Sequence, residues 1–308
     1  FRTYGVLTRE AGFYFYFSRK IRELRECGHE GTARAYASSL RSMQRYLGKK
    51  DFPFIKLSSR IISDYQGKLL ASGICDNTIG FYLHNIKALF RKGCREMGLE
   101  LPCPFRDISI KTEKTLKRSL DPVVIKTLSA IELEKDSPLS LARDIFMFSF
   151  YTRGMSFVDI ALLKKRHVFP GEICYRRHKT DQLMRVGINK EISRILERYK
   201  NVPGEYIFPL FPAERDPYAG YRSAYHRIRY SLGKISRVIG LEFPLRLHAA
   251  RHSWATIAKV NGASVHVIGE CLGHTSEKTT RIYLKELDHS ALDAVNNQVA
   301  DFILAVDD

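Results

Sequence analysis

Four side chains near the C-terminus have the types and the spacing for one kind of chemistry: His248, Arg251, His274 and Tyr283. His248 and Arg251 are three residues apart, and Tyr283 follows His274 by nine. A phosphodiester resists attack because its charge repels nucleophiles and its alkoxide leaves poorly, so a catalyst must neutralise charge and deliver a proton. Arg251 can grip the non-bridging oxygens with its planar fork, a task that lysine performs less well. His248 and His274 can donate to the same oxygens or move a proton to or from the tyrosine, and the sequence leaves that division open. Tyr283, a phenol with an ordinary pKa of about 10, needs cationic neighbours or a base to attack near neutrality.

These residues need elements to hold them, and the apolar spacing supplies candidates. Residues 8 to 100 read as four or five short helices, with steps of three and four between apolar residues and breaks at Gly28, Gly31, Gly48, Pro53 and Gly73. Thr32 is the expected cap of one helix, and Asp76 or Asn77 starts another. Pro102-Cys-Pro-Phe-Arg-Asp, then Lys111, Lys114, Lys117 and Arg118, reads as an extended basic connector, because prolines stop helices and like charges resist compaction. The boundaries that follow are a helical domain at 1–107, a linker at 108–119 and a second domain at 120–308. Asp121-Pro122 opens that domain as an N-cap with proline in the first turn. Glu172 to Ile188 reads as a hairpin turning near Lys179 to Gln182, and on an extended strand Tyr175, Arg177 and Lys179 share one face. Lys179 at the hairpin tip is the best candidate to protonate a departing alkoxide. Two helices follow Pro244, the first with His248 and Arg251, the second ending near Gly273. A last run, Ser290 to Leu304, has one apolar face suited to docking on a neighbouring protomer or on its own domain.

Composition narrows the partner. The chain has 308 residues, with 50 Lys and Arg against 33 Asp and Glu, a net charge of +17. Both parts share the excess: 19 basic against 10 acidic residues in 1–107, and 31 against 23 in the remainder. That balance points to a polyanion, nucleic acid first. No apolar run approaches a membrane span of roughly 18 residues, which predicts a soluble protein with no membrane partner. The six cysteines are scattered without C-x-x-C pairs, which fits free thiols in a reducing cytoplasm. The histidines form no metal cage, there is no P-loop, and no cofactor is expected. Phe1 replaces an initiating methionine, which reads as trimming or processing.

H-x-x-R alone is weak, since His226 and Arg229 repeat it. The specific signal is the combination of Leu247-His-Ala-Ala-Arg-His-Ser-Trp-Ala-Thr, Leu272-Gly-His274 and Thr279-Thr-Arg-Ile-Tyr283. It resembles the catalytic signature of the tyrosine recombinases, the phage-integrase family of site-specific DNA recombinases. The resemblance implies a mainly α fold with a small antiparallel β-sheet: a helical, SAM-like core-binding domain followed by a mixed α/β catalytic domain, together clamping double-stranded DNA. It makes Tyr283 the nucleophile that forms a 3′-phosphotyrosyl bond, with His248, Arg251, His274 and Lys179 as its partners. It also implies four protomers joining two duplex sites, with an accessory DNA-bending protein as a further candidate partner. His252 and Trp254 read as packing residues.

One position departs from the family pattern. The family carries a second arginine in G-[LM]-R-x-[ST]-E, where this chain has Gly154-Met155-Ser156-Phe157-Val158-Asp159. Ser156 cannot supply the charge. Arg177, two residues before Lys179, is the first candidate to replace it, Arg153 the second and Arg143 the third. Asp159 reads as a buttress of the basic groups. The substitution resembles a branch of recombinases associated with Bacteroidetes mobile elements and invertible DNA. Two other readings remain: a type IB topoisomerase-like enzyme, and a DNA-binding protein whose site has decayed.

Overall fold

Phe13, Tyr16 and Phe17, at helical spacing and fully buried, make the inner face of the first helix, α1 (Phe13–Glu26). The computed structural model describes residues 12–111, 113, 119–211, 217–274 and 276–284, without the side chains of 217–219, 282 and 283. The run at 290–304 and residues 112 and 114–118 of the basic connector therefore lie outside the described residues. The chain forms two compact units, 1–115 and 116–308.

In the first unit α1 is followed by α2 (Glu30–Leu47), α3 (Ser59–Ala71) and α4 (Asp76–Glu96). Phe54 fills the centre, edge-on to Phe13 and Tyr16 and stacked on Phe90. The expected cap at Thr32 is not used: α2 starts two residues earlier at Glu30, and Gly31 lies inside its first turn instead of breaking it. Gly28, at φ +75°, already provides the left-handed exit from α1, so no second break is needed. After α4 the chain returns along its own unit. Asn77 binds Glu113 through both its amide nitrogen and its amide oxygen, and Gln66 donates to the Ser109 carbonyl.

The second unit opens as the sequence predicts. The Asp121 side chain accepts from the Val123 N–H, and Pro122 begins α5 (Pro122–Ala130). Ser137 caps α6 (Pro138–Tyr151), whose Ile145, Phe146, Met147 and Phe148 are buried in the middle of the core. Next come α7 (Phe157–Ala161) and a sheet of three antiparallel strands in order, β1 (Val168–Phe169), β2 (Glu172–Arg176) and β3 (Leu183–Gly187). The hairpin β2–β3 was legible, with Tyr175 opposite Met184. The two-residue β1 is too short for its alternation to register. Then follow α8 (Lys190–Arg198), α9 (Pro217–Val238), α10 (Leu247–Val260), α11 (Val265–Leu272) and α12 (Glu277–Tyr283). This is the mainly helical fold with a small antiparallel sheet that the sequence implies. No described helix is long and apolar enough to cross a membrane.

Two anchors set the frame. The Leu120 N–H donates to Ser253 Oγ on α10 at 2.7 Å, fixing the start of the unit against the helix of the H-x-x-R pair. Asp144 on α6, only 3% exposed, accepts from Arg143 Nε at 2.6 Å, Arg198 Nη1 at 2.6 Å and Tyr199 Oη at 2.9 Å. Arg143 also donates to the Ile131 carbonyl. It is thus held in a buried structural network, which removes it as a replacement for the missing arginine. Asp144→Ala leaves those donors without their acceptor and should destabilise the fold by about 3–5 kcal/mol, with Asp144→Asn milder. Urea unfolding measures this, and a loss under about 1 kcal/mol would contradict the role given to Asp144.

Candidate active site

Arg251 is the centre of the candidate site. It lies on α10 and is 6% exposed, an unusual degree of burial for a guanidinium. Its Nη1 donates to the Gly154 carbonyl at 2.7 Å, and its Nη2 to the Leu272 carbonyl at 2.5 Å. Nη2 also lies 2.9 Å from His274 Nε2. One side chain therefore joins the turn between α6 and α7 to the end of α11. The second H-x-x-R copy, His226 and Arg229, is exposed on α9, which separates the chance spacing from the built one.

Gly154 is fitted to this guanidinium. Its φ is +74°, in the left-handed region, and a Cβ there would stand 2.6 Å from Arg251 Cγ. Both the backbone and the space exclude larger residues. Gly273, at φ +62°, ends α11 in the same way. Its carbonyl accepts a very short hydrogen bond from Arg177 Nη1, so Arg251 and Arg177 hold adjacent carbonyls at the C-terminus of one helix. Cations are favoured there, where the last carbonyls lack helical partners.

Ser156, at the position of the family's arginine, caps α7 and donates to Asp159 Oδ2 at 2.6 Å. The other oxygen, Oδ1, accepts from the His178 N–H at 2.8 Å. Asp159 does act as a buttress, through the hairpin backbone and not through a basic side chain. Arg177 and Lys179 ride on that hairpin. The expectation that Tyr175, Arg177 and Lys179 share a strand face is corrected at its end. The strand stops at Arg176, and the Asp181 N–H closes a tight turn onto the Arg177 carbonyl, with Asp181 at φ +54°. Tyr175 is buried, Arg177 half-buried, and Lys179 exposed in the turn. Burial, then the Asp159 charge, push the Tyr175 phenol well above its usual pKa, which leaves it inert.

His274 is surrounded by cations. Burial, then the charges of Arg251, Arg177 and Lys179, lower its pKa from 6.5 to about 4. Arg251 of α10 lies against this ring, and Arg177 of the hairpin binds the carbonyl of Gly273 next to it. Its Nδ1 is 2.9 Å from Thr280 Oγ1 on α12. Tyr283 is the last helical residue of α12, and its side chain is outside the described residues. His248 is exposed on α10 and lines, with Arg251, Ser156, Tyr221 and Tyr225, a cavity of about 280 Å³. His252 is buried edge-on to His248, and Trp254 packs against Ala255, Ile268 and Leu272. Arg153 is half-buried at φ +59° and makes one long hydrogen bond to the Arg185 carbonyl. Its charge is not among those that shift His274. The sequence reading missed Thr280, although it lies inside the Thr-Thr-Arg-Ile-Tyr run, and missed Gly154 and Gly273 as the residues that let two arginines approach.

Comparison with known proteins agrees with this architecture. The profile of the phage integrase family matches residues 119–289, and that of the phage integrase SAM-like domain matches residues 12–105. The chain belongs to the phage integrase family, and it is a tyrosine recombinase, a site-specific enzyme that cleaves and rejoins DNA. It is 26% identical over 226 residues to the tyrosine recombinase XerC of Shewanella oneidensis, covering 70% of each chain. To XerD of Pseudomonas putida it is 24% identical, covering 82% of this chain and 86% of that one. Its fold is similar to a lambda integrase dimer bound to a COC′ core site, with TM-score 0.67 and 17% identity over 90% of this chain and 98% of that one. The Tn1549 transposon integrase, in complex with transposon right end DNA, gives TM-score 0.68 and 15% identity over 94% of this chain and all of that one.

The fit of Gly154 to Arg251 makes a sharp expectation. Gly154→Ala combines left-handed strain with a clash and should lose about 2–4 kcal/mol. Gly204→Ala has a similar φ of +84° but open space around it, and should lose only about 1 kcal/mol. Equal losses in chemical denaturation would mean that Arg251 does not depend on the glycine.

Proposed function

We propose that Tyr283 attacks the scissile phosphate of a double-stranded recombination site, with Arg251 and Arg177 neutralising the non-bridging oxygens. The Tyr283 Oη–phosphorus bond forms, the P–O5′ bond breaks, and Lys179 gives its proton to the departing O5′, which leaves as the 5′-hydroxyl. His248, exposed beside Arg251 at the cavity, takes the phenol proton. Rejoining reverses each transfer, and the phosphotyrosyl bond conserves the energy of the cut bond. His274, held neutral, orients Arg251 instead of donating to phosphate.

The observation that carries this reading is the pair of arginines on adjacent carbonyls of α11. Arg177 brings a second fixed charge to the same helix end as Arg251 and to the same histidine. Ser156 is occupied by Asp159, and Arg153, whose charge acts with those of Arg177 and Arg251 on Tyr175, is not among the charges that act on His274. This supports Arg177 as the replacement for the missing arginine and Arg153 as an outer basic residue. An intact arrangement of Arg251, His274 and Arg177 also speaks for an active enzyme over a decayed one.

The wider reading follows the family. Residues 1–107 form the core-binding domain, Ser109 and Glu113 of the basic linker at 108–119 pack back on it, and the basic residues of the linker face the DNA backbone. Residues 120–308 form the catalytic domain. Four protomers hold two duplexes in the cytoplasm, where a DNA-bending protein can assist.

The test uses a nicked suicide duplex built on the sequence that the chain selects from a randomised pool. The parent chain should form a covalent adduct and Tyr283→Phe none. Arg177→Ala should slow adduct formation about 100-fold or more, the effect of removing one preorganised charge-stabilising donor, while Arg153→Ala stays within about threefold. No adduct from the parent chain would overturn the reading of Tyr283. Normal cleavage by Arg177→Ala with loss in Arg153→Ala would reverse the two arginines.

A further inference from the structure

We propose that Thr280 is a positioning residue: it accepts from His274 Nδ1–H, holds the ring against the guanidinium of Arg251 and so ties the helix that carries Tyr283 to that arginine. The inference rests on the recombinase reading of this site and concerns how its parts are assembled.

Arg251 and Thr280, one on each ring nitrogen of His274, favour one arrangement of protons. His274 Nε2 is 2.9 Å from Arg251 Nη2, and a guanidinium can only donate. Nε2 must therefore present its lone pair. In a neutral ring the proton then sits on Nδ1, which donates to Thr280 Oγ1 at 2.9 Å. The ring is kept neutral by burial and by the cations that face it, Arg251 from α10 and Arg177 and Lys179 from the hairpin. A protonated ring would point a second N–H at Arg251.

Thr280 is placed to sense the seating of α12. It is 0% exposed, and its hydroxyl lies against Gly269 of α11, where an added Cβ would stand 3.0 Å from Oγ1. It also precedes Tyr283 by three residues, about one helical turn, on α12. When α12 is seated, Thr280 accepts from Nδ1, Nε2 accepts from Arg251, and the guanidinium is held in place. When α12 withdraws, Nδ1–H loses its buried acceptor, and the ring loses the anchor that keeps it turned toward Arg251. The phosphate clamp and the nucleophile's helix are thus assembled together.

Thr280→Val keeps the shape and removes the hydroxyl, whereas Thr280→Ser keeps the hydroxyl. Histidine-labelled protein without DNA, with the His274 signal assigned through His274→Asn, reports the tautomer by nitrogen NMR. The parent and Thr280→Ser should show the Nδ1–H form, neutral down to about pH 5, and Thr280→Val, with its ring turned away from Arg251, should shift toward Nε2–H. On the suicide duplex, Thr280→Val should cleave about 10- to 100-fold more slowly, as expected for loss of a buried hydrogen bond, and Thr280→Ser should retain most of the rate. The proposal is overturned if the ring stays Nδ1–H in Thr280→Val, if that variant cleaves normally, or if Thr280→Ser falls as far as Thr280→Val. A parent chain that forms no adduct would instead sink the recombinase reading, and the tautomer would still decide the role of Thr280.

Discussion

The site depends on one buried cation. A guanidinium taken out of water is costly unless its donors find acceptors, and Arg251 finds them in the Gly154 and Leu272 carbonyls and the His274 ring. Those three acceptors belong to segments far apart in the chain, so satisfying one side chain fixes the α6–α7 turn, α10 and the α11–α12 junction together. The glycine at 154 and the left-handed residue at 273 follow from this constraint, because a side chain at either place would push an arginine out.

A second constraint is electrostatic. Arg177, Lys179 and Arg251 all act on His274, and their mutual repulsion is relieved only by an anion or by dipoles. Without DNA, the carbonyls at the end of α11 supply the dipoles. A phosphate offers a full charge in the same place. Asp159 contributes without neutralising the group: its two oxygens hold Ser156 and the His178 N–H, so its charge is used to fix the hairpin that presents Arg177 and Lys179. The serine that breaks the family pattern is thereby integrated as a cap, and Arg177 on the hairpin is the proposed source of the charge it cannot supply.

Much of this was legible because it is local. Residues three apart on a helix, an Asp-Pro cap and an alternating hairpin are decided by near neighbours, and His248 with Arg251, Asp121 with Pro122, and β2 with β3 appear where the sequence puts them. What escaped depends on distant partners. Nothing around Thr280 says that a histidine six residues earlier will meet it across a buried junction, and nothing near Gly154 points to Arg251, 97 residues away. The period-two argument for Lys179 failed for a different reason, since a turn begins before the alternation reaches it. Thr32 lost its capping role to a glycine turn that had already closed at Gly28.

The central claim is that two arginines, not one, carry the charge of the scissile phosphate. It is tested most directly by comparing parent and Arg177→Ala on a duplex whose scissile phosphate is replaced by an uncharged methylphosphonate. If Arg177 neutralises the phosphate, its loss matters little when there is no charge to neutralise, and a deficit of about 100-fold on ordinary DNA should shrink below about 10-fold. The same deficit on both substrates would contradict the account and leave Arg177 a structural residue of the hairpin.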